Sequence, residues 1–243
     1  MRPDANPGAR HFLDHFENRQ SVAAYADGPR RFVPGFDALH RMTAILLAEA
    51  APADAHVLVL GAGGGLELEA LAQAHPGWTF VGVDPAAAML ELAAERLGPV
   101  MDRVTLIQGY IDDAPAGPFD AATCLLTLHF LDAPGRLATA RAIHDRLKPG
   151  APFVAAHSSF PQAEPARSAW LDRYAAFAVA SGAEPAAAAN ARTAVAANLD
   201  LYDPDEDAAI LAQAGFGDVA QFFAAFTWRG WIGHAGSGSA GRE

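Results

Sequence analysis

Apolar and polar positions change rhythm along the chain, and each change marks an element. Residues 36–50 place apolar side chains at 39, 42, 45, 46 and 47, the recurrence of an amphipathic helix. Short apolar runs then alternate with helix-length segments. The runs predict strands over 56–60, 79–83, 103–107, 119–125 and 152–156, and the longer segments predict helices over 66–75, 86–97 and 133–147. The last of these stops at Leu147-Lys148-Pro149-Gly150, a helix end followed by a turn. Alternation of this kind builds a mostly parallel sheet with helices on both faces, a doubly wound α/β fold.

The alternation breaks at 158–200. This stretch is alanine-rich and helical in character over 163–181 and 184–199, with Gly182 and Pro185 between, and reads as an inserted helical cap. A further helix is expected over 203–214, ended by Gly215. Residues 219–232 are aromatic and β-prone, with Phe222, Phe223, Phe226, Trp228 and Trp231. They predict an antiparallel hairpin that closes a seven-stranded sheet. At the other end, residues 1–20 are polar with scattered aromatics and predict a short helix or an ordered lid. Residues 24–35 carry Gly28-Pro29 and Pro34-Gly35 and read as loop. The expected division is a lid over 1–36, one domain over 37–234 with its cap at 158–200, and a flexible tail over 235–243, where Gly236-Ser237-Gly238-Ser239-Ala240-Gly241 stands.

Composition narrows the function classes. With 243 residues and 51% hydrophobic content the chain has ample core for one α/β domain with an insertion. Its 17 basic and 28 acidic residues give a net charge of −11, which opposes phosphate backbones and disfavours a nucleic-acid substrate. The single cysteine, Cys124, allows no internal disulfide and suits a reducing cytoplasm. The first ten residues lack an apolar signal core, and no run reaches membrane-spanning length. No membrane partner is expected.

The candidate chemistry sits where the first strand ends. Val57-Leu58-Val59-Leu60 stops at Gly61-Ala62-Gly63-Gly64-Gly65, and a helix follows: strand, tight turn, helix. Glycines at 61, 63 and 65 let backbone approach a ligand that any side chain would block. About twenty residues later Phe80-Val81-Gly82-Val83 ends in Asp84. A carboxylate at that strand tip accepts both hydroxyl hydrogens of a ribose, and also suits the start of the helix over 86–97. The pair predicts a nucleoside cofactor across the strand tips. The dinucleotide pattern would need glycine at Leu66. A bulky residue at the helix start argues against a pyrophosphate there and for a phosphate-free adenosyl ligand, S-adenosylmethionine.

Five segments in order then resemble the class I S-adenosylmethionine-dependent methyltransferases over roughly residues 50–160. They are Leu58-Val59-Leu60-Gly61-Ala62-Gly63-Gly64-Gly65, Gly82-Val83-Asp84-Pro85-Ala86-Ala87-Ala88-Met89-Leu90, Gln108-Gly109-Tyr110-Ile111, Phe119-Asp120 leading into Leu128-His129-Phe130-Leu131, and Leu147-Lys148-Pro149-Gly150. The resemblance implies the Rossmann-like methyltransferase fold and a donor site of Gly61, Ala62, Gly63, Gly65, Asp84, Pro85, Met89, Tyr110, Ile111 and Leu125. Tyr110 stands where the family usually has a carboxylate for the adenine amine, and is read as stacking on the ring or as an exposed strand-end residue. Met89 and Ile111 are read as adenine contacts or as core.

A narrower resemblance spans most of the chain. Val33-Pro34-Gly35-Phe36, Thr127-Leu128-His129-Phe130-Leu131, Ala191-Arg192-Thr193 and Ala214-Gly215-Phe216 are similar to landmarks of the carboxy-S-adenosylmethionine synthase branch. That branch makes a carboxymethyl donor from S-adenosylmethionine and prephenate for tRNA modification. The chain departs from it at Phe36 for tyrosine, Gly63 for serine, Tyr110 for aspartate, Leu125 for asparagine and His129 for glutamine, and keeps Arg192. Each lost contact to a charged group is worth about 1.5–3 kcal/mol. The expected activity is therefore methyl transfer to a small-molecule acceptor, with the synthase, or a non-catalytic S-adenosylmethionine-binding protein, as alternatives. The branch resemblance and the aromatic C-terminal strands together imply a homodimer.

Two residues are singled out for catalysis. His129 follows the fourth strand and is read as a general base or a packed histidine. Arg192 is read as a carboxylate clamp or a solvated helix residue. His157 is a weaker candidate of the same kind as His129. Tyr25, Phe32, Phe36, Trp170, Tyr174 and Tyr202 are candidate walls of an acceptor pocket. His11 and His15 have helical metal-ligand spacing without the accompanying glutamate, so no metal is expected.

Overall fold

The computed structural model describes Leu13, Phe16 and residues 28–236. A short helix α1 (Gly28–Phe32) and the amphipathic α2 (Phe36–Ala48) precede the sheet. Then follow β1 (His56–Leu60), α3 (Leu66–Ala74), β2 (Thr79–Asp84), α4 (Ala87–Leu97), β3 (Val104–Gln108), β4 (Ala121–Leu125), α5 (Ala133–His144) and β5 (Pro152–Ser158). The chain ends in α6 (Ala166–Ala180), α7 (Pro185–Asn198), α8 (Pro204–Gln213), β6 (Phe216–Ala225) and β7 (Trp228–Ala235).

The seven strands lie in the order β3-β2-β1-β4-β5-β7-β6. The first five pair in parallel, while β7 runs antiparallel to both β5 and β6. The order reverses between β1 and β4, which is where an open α/β sheet leaves a crevice at the carboxyl ends of its strands. Successive residues of β1 point to opposite faces. Val57 and Val59 meet Leu39, Leu47, Leu68, Leu71 and Trp78 on the α2–α3 side. Leu58 and Leu60 meet Phe119, Cys124, Ile143 and Phe153 on the other. Burial of each such side chain is worth about 1.5–3 kcal/mol, so both faces of β1 anchor the turn that follows it.

Several boundaries differ from expectation. Residues 28–32, read as loop, form α1. Pro29 suits a first helical turn, and the Phe32 ring lies 5.4 Å from that of Tyr174, so packing on α6 overrides the turn signal. Strand β4 begins at Ala121, because Phe119 makes only a single bridge to Leu147. Strand β5 runs on to Ser158, since β7 pairs along its whole length from Pro152↔His234 to Ser158↔Trp228. The hairpin is longer than 219–232 for the same reason, and the helix over 133–147 stops at His144.

The inserted helices α6 and α7 pack on each other and are tied by Arg192 Nε to Asp172 Oδ1 at 2.7 Å. Trp170 of α6 carries the Arg173 guanidinium 4.4 Å from its ring centre. A buried polar bolt fixes the chain where it returns to the sheet. Arg136 of α5 bonds Asp207 of α8 at 2.5 Å, donates to the carbonyls of Leu131 and Asp200, and lies 4.5 Å above the Tyr202 ring. His157 Nε2 of β5 reaches the same Asp207 oxygen at 3.2 Å. Among the described residues no helix is long and apolar enough to cross a membrane.

Candidate functional site

A cleft opens at the carboxyl ends of β1, β2, β3 and β4. The turn after β1 forms one edge. Gly61, Gly63 and Gly65 all adopt positive φ, of 79°, 49° and 81°. A Cβ at Gly61 would sit 2.0 Å from Thr127 Oγ1, so this position admits only glycine. A Cβ at Gly65 would meet Ala93 of α4 at 3.0 Å, so its bareness serves helix packing. Gly65 does not line the cleft; Gly61, Ala62 and Gly63 do.

Asp84 ends β2 beside this turn. Its Oδ2 accepts the Gly63 N–H and its Oδ1 accepts the Ala86 N–H, both at 2.9 Å. The carboxylate thereby braces the turn against the start of α4. Ala86 itself occupies the cap position of that helix. Each carboxylate oxygen keeps a lone pair for a ligand hydroxyl. Burial pushes Asp84 up to about 6, against the pull of the two N–H donors.

Pro85 and Met89 follow on the same wall, with Gly109, Tyr110, Ile111 and Asp112 from the loop after β3. Met89 and Ile111 are buried. The Tyr110 N–H is held by Asp113 Oδ2 at 2.9 Å. Leu125 and the segment Leu126-Thr127-Leu128 carry the floor across to Phe130 and Leu131, with Leu126 at positive φ of 56°. Leu13, Phe16 and Phe36 complete an apolar rim, and Phe16 and Phe130 meet edge to face at 6.3 Å.

The structure therefore brings nine of the ten expected donor-site residues to one cleft. The two expected catalytic residues are elsewhere. His129 is buried with its ring 5.6 Å from that of Trp228, and burial among His157 and Arg136 holds its imidazole well below the usual range. Its neighbours Leu128 and Phe130 line the cleft, while its own side chain faces the hairpin. Arg192 lies on the outer helices, paired with Asp172. His157 faces Asp207 and the Trp231 ring. Of the aromatic wall candidates, Phe36 lines the cleft. Phe32 and Tyr174 pack on each other, Trp170 stacks under Arg173, and the Tyr202 hydroxyl accepts the Ala133 N–H at 3.0 Å. No residue of 158–200 lines the cleft, because α6 packs on α1 and the hairpin tip instead. Tyr25, His11 and His15 lie outside the described residues.

Two buried ionisable lining residues escaped the sequence reading. His40 of α2 is buried, stacked edge-on against Phe36 at 4.4 Å, and burial lowers it to about 4. Glu67, in the first turn of α3, is buried at 6% exposure, and burial raises it to about 8. Acids in a first helical turn are normally solvated partners of the helix dipole, so nothing in Leu66-Glu67-Leu68-Glu69 marks Glu67 apart from Glu69. The position of α2 over α3 makes the distinction.

The Methyltransferase domain family matches residues 58–153, the span from β1 into β5. The carboxy-S-adenosyl-L-methionine synthase of Chromohalobacter salexigens is 30% identical over 207 residues, covering 83% of this chain and 76% of that protein. The enzyme of that name from Campylobacter curvus is 26% identical over 202 residues, covering 83% and 86%. A solved O-methyltransferase family protein from Burkholderia thailandensis superposes with a TM-score of 0.65 at 18% identity, over 90% of this chain and 60% of that one, so this chain spans under two thirds of that structure. The fold, the order of its segments and the relatives over most of the chain agree: the protein belongs to the class I S-adenosylmethionine-dependent methyltransferase family, on the side of its carboxy-S-adenosylmethionine synthase branch.

Proposed function

We propose that the protein transfers a methyl group from S-adenosylmethionine to a small, largely apolar acceptor. The charge of the cleft carries this reading. Its titratable lining residues, among those described, are Glu67, Asp84, Asp112, Tyr110 and His40, with no lysine or arginine. With acidic groups and no cationic side chain, this lining favours a sulfonium and an ammonium and opposes an added carboxylate.

When bound, S-adenosylmethionine supplies a methyl group on a reactive sulfonium. The chain's own residues have the task of placement. Backbone at Gly61 and Gly63 takes the methionine tail, Asp84 accepts from the ribose hydroxyls, and Met89 and Ile111 sandwich the adenine. Leu13, Phe16, Phe36, Leu126, Phe130 and Leu131 hold the acceptor and keep water out, which orients its nucleophile toward the methyl carbon. His40, neutral at pH 7, offers a lone pair to a hydroxyl or amine hydrogen of the acceptor. The segment 1–36 closes the cleft, a role suggested by Leu13, Phe16 and Phe36 on its rim. A net charge of −11 supports a small acceptor over a nucleic acid, and a lone buried Cys124 supports a cytoplasmic setting.

The names of the curated relatives favour a second reading, synthesis of a carboxylated donor. That ligand needs a cation beside its extra carboxylate, and Arg192, its expected partner, is engaged by Asp172. Native mass spectrometry of ligand extracted from the purified protein separates the two. S-adenosylmethionine or its demethylated product is the expected finding, followed by methyl release with a panel of apolar hydroxyl and amine compounds. A donor heavier by a carboxylate would establish the second reading instead.

A further inference from the structure

Glu67 is the one carboxylic acid on the α2–α3 wall of the cleft among the described residues, and it is poorly provided for. Its Oε1 is buried without a hydrogen-bond partner. The Thr123 hydroxyl of β4 lies close enough to oppose the upward push of burial, yet Thr123 Oγ1 also ends without a partner of proper geometry. Thr43 Oγ1 of α2, buried on the same side of the sheet, is a third orphan. A buried polar group left unpaired is destabilising, so a ligand group that satisfies Glu67 gains more than its own bond.

We propose that Glu67 receives the α-ammonium of the donor's amino-acid tail. This rests on the methyl-donor reading above. Glu67 stands two residues past Gly65 and beside Thr123 of β4, and β4 flanks β1 on the side opposite β2 and β3, which carry Asp84 and the adenine wall. The ribose and base are thus fixed at one end of the cleft, and the ammonium, the only hydrogen-bond-donating cation the donor carries, falls at the other. Among the described residues no arginine or lysine lines the cleft to compete for the carboxylate. Thr123 and Cys124 of β4 interact with Glu67, His40 of α2 lines the same cleft, and none of the three is charged at neutral pH. Burial keeps the free carboxyl protonated at pH 7, so pairing with the ammonium expels that proton to bulk buffer as the carboxylate forms. Donor binding then releases about one proton, and ligands without the amino group release none by this route.

Calorimetry of the full chain tests this, using S-adenosylhomocysteine and 5′-methylthioadenosine, which keeps the adenosine and thioether but has no amino-acid tail. Titrations at pH 7 in buffers of different ionisation enthalpy count the protons. The expected result is close to one proton released with S-adenosylhomocysteine and none with methylthioadenosine. Glu67→Gln should lose the proton release and weaken S-adenosylhomocysteine by about 10- to 100-fold while leaving methylthioadenosine unchanged, which also shows that the variant is folded. Equal proton counts for the two ligands on the wild-type protein would overturn the assignment with no variant needed. So would an unchanged S-adenosylhomocysteine affinity in Glu67→Gln. If the wild-type protein binds neither ligand, the methyl-donor reading itself fails and this assignment with it.

Discussion

At the scale of single residues, the two buried carboxyls of the cleft depart from ordinary acids for one reason, loss of water, and in the proposed roles both must ionise to hold the donor. Asp84 is raised from 3.8 to about 6, and its proposed role of accepting from two ribose hydroxyls needs the ionised form. Donor affinity should therefore rise with pH up to about 8, as the proton released from Glu67 requires, and fall more steeply once pH drops through about 6, where Asp84 also takes up a proton. Asp84→Ala should weaken donor binding by about 1.5–3 kcal/mol at neutral pH and remove the added steepness below about pH 6. Titration calorimetry between pH 5 and 8 reads both, and an unchanged affinity would remove Asp84 from the site. Glu67 is raised from 4.5 to about 8. Between those values the unfolded chain gives up the proton that the folded chain keeps, so the fold loses stability as pH rises through that window. Glu67→Gln carries no such charge. Its stability relative to wild type should improve by roughly 3 kcal/mol from pH 5 to pH 8, by linkage at about 1.36 kcal/mol per unit. Urea unfolding at the two pH values measures it. Parallel stability profiles would mean that Glu67 is better satisfied in the free protein than its orphaned Oε1 implies.

At the scale of elements, what could be read from the chain and what could not divide along one physical line. Strand β1, the turn at Gly61 and the tip at Asp84 were legible because each follows from local chemistry: an apolar run, a backbone with positive φ, a carboxylate at a strand end. Where a helix comes to rest is a tertiary property. The alanine-rich pair at 158–200 announces α6 and α7, but nothing in it says that α6 leans on α1 and the hairpin tip rather than over the cleft. His129 is turned from the cleft in the same way. Its place after β4 is right, and a short helical turn at Leu128–Phe130 then swings alternate side chains to opposite sides, Phe130 into the cleft and His129 toward Trp228. The bolt among Arg136, Asp207 and His157 joins α5, α8 and β5 across long stretches of sequence, so no local pattern could reveal it. Its energetics are testable. Asp207→Ala leaves a buried guanidinium without its carboxylate and should cost about 3–5 kcal/mol. Adding Arg136→Met should recover part of that loss, since the stranded charge is then gone. Donor affinity should stay the same in both variants, because none of these side chains lines the cleft. A matching loss of donor affinity would place the bolt inside the binding machinery.

At the scale of the whole molecule, the cleft is where distant parts of the chain meet, and that makes ligand binding a stability effect. Its lining comes from the N-terminal segment, α2, the ends of four strands, and the loops that follow them, including Ala138 and Thr139 of α5. A ligand seated there contacts every one of these elements only in the folded state. By mass action it should stabilise the fold by about 2.7 kcal/mol at a concentration one hundred times its dissociation constant. For a chain of this length each kcal/mol moves the midpoint by roughly 2–4 °C, so S-adenosylhomocysteine should raise Tm by about 5–10 °C. Deleting the first 27 residues separates the contributions. That segment brings Leu13 and Phe16 to the rim, whereas Asp84 and the glycine turn lie within the sheet domain. The shortened chain should retain most of the shift with S-adenosylhomocysteine, and should lose methyl transfer to an apolar acceptor far more than it loses donor binding. A shift abolished by the deletion would instead make the N-terminal segment part of the donor site. Absence of any shift in the full chain would count against the cleft as the place where the donor binds.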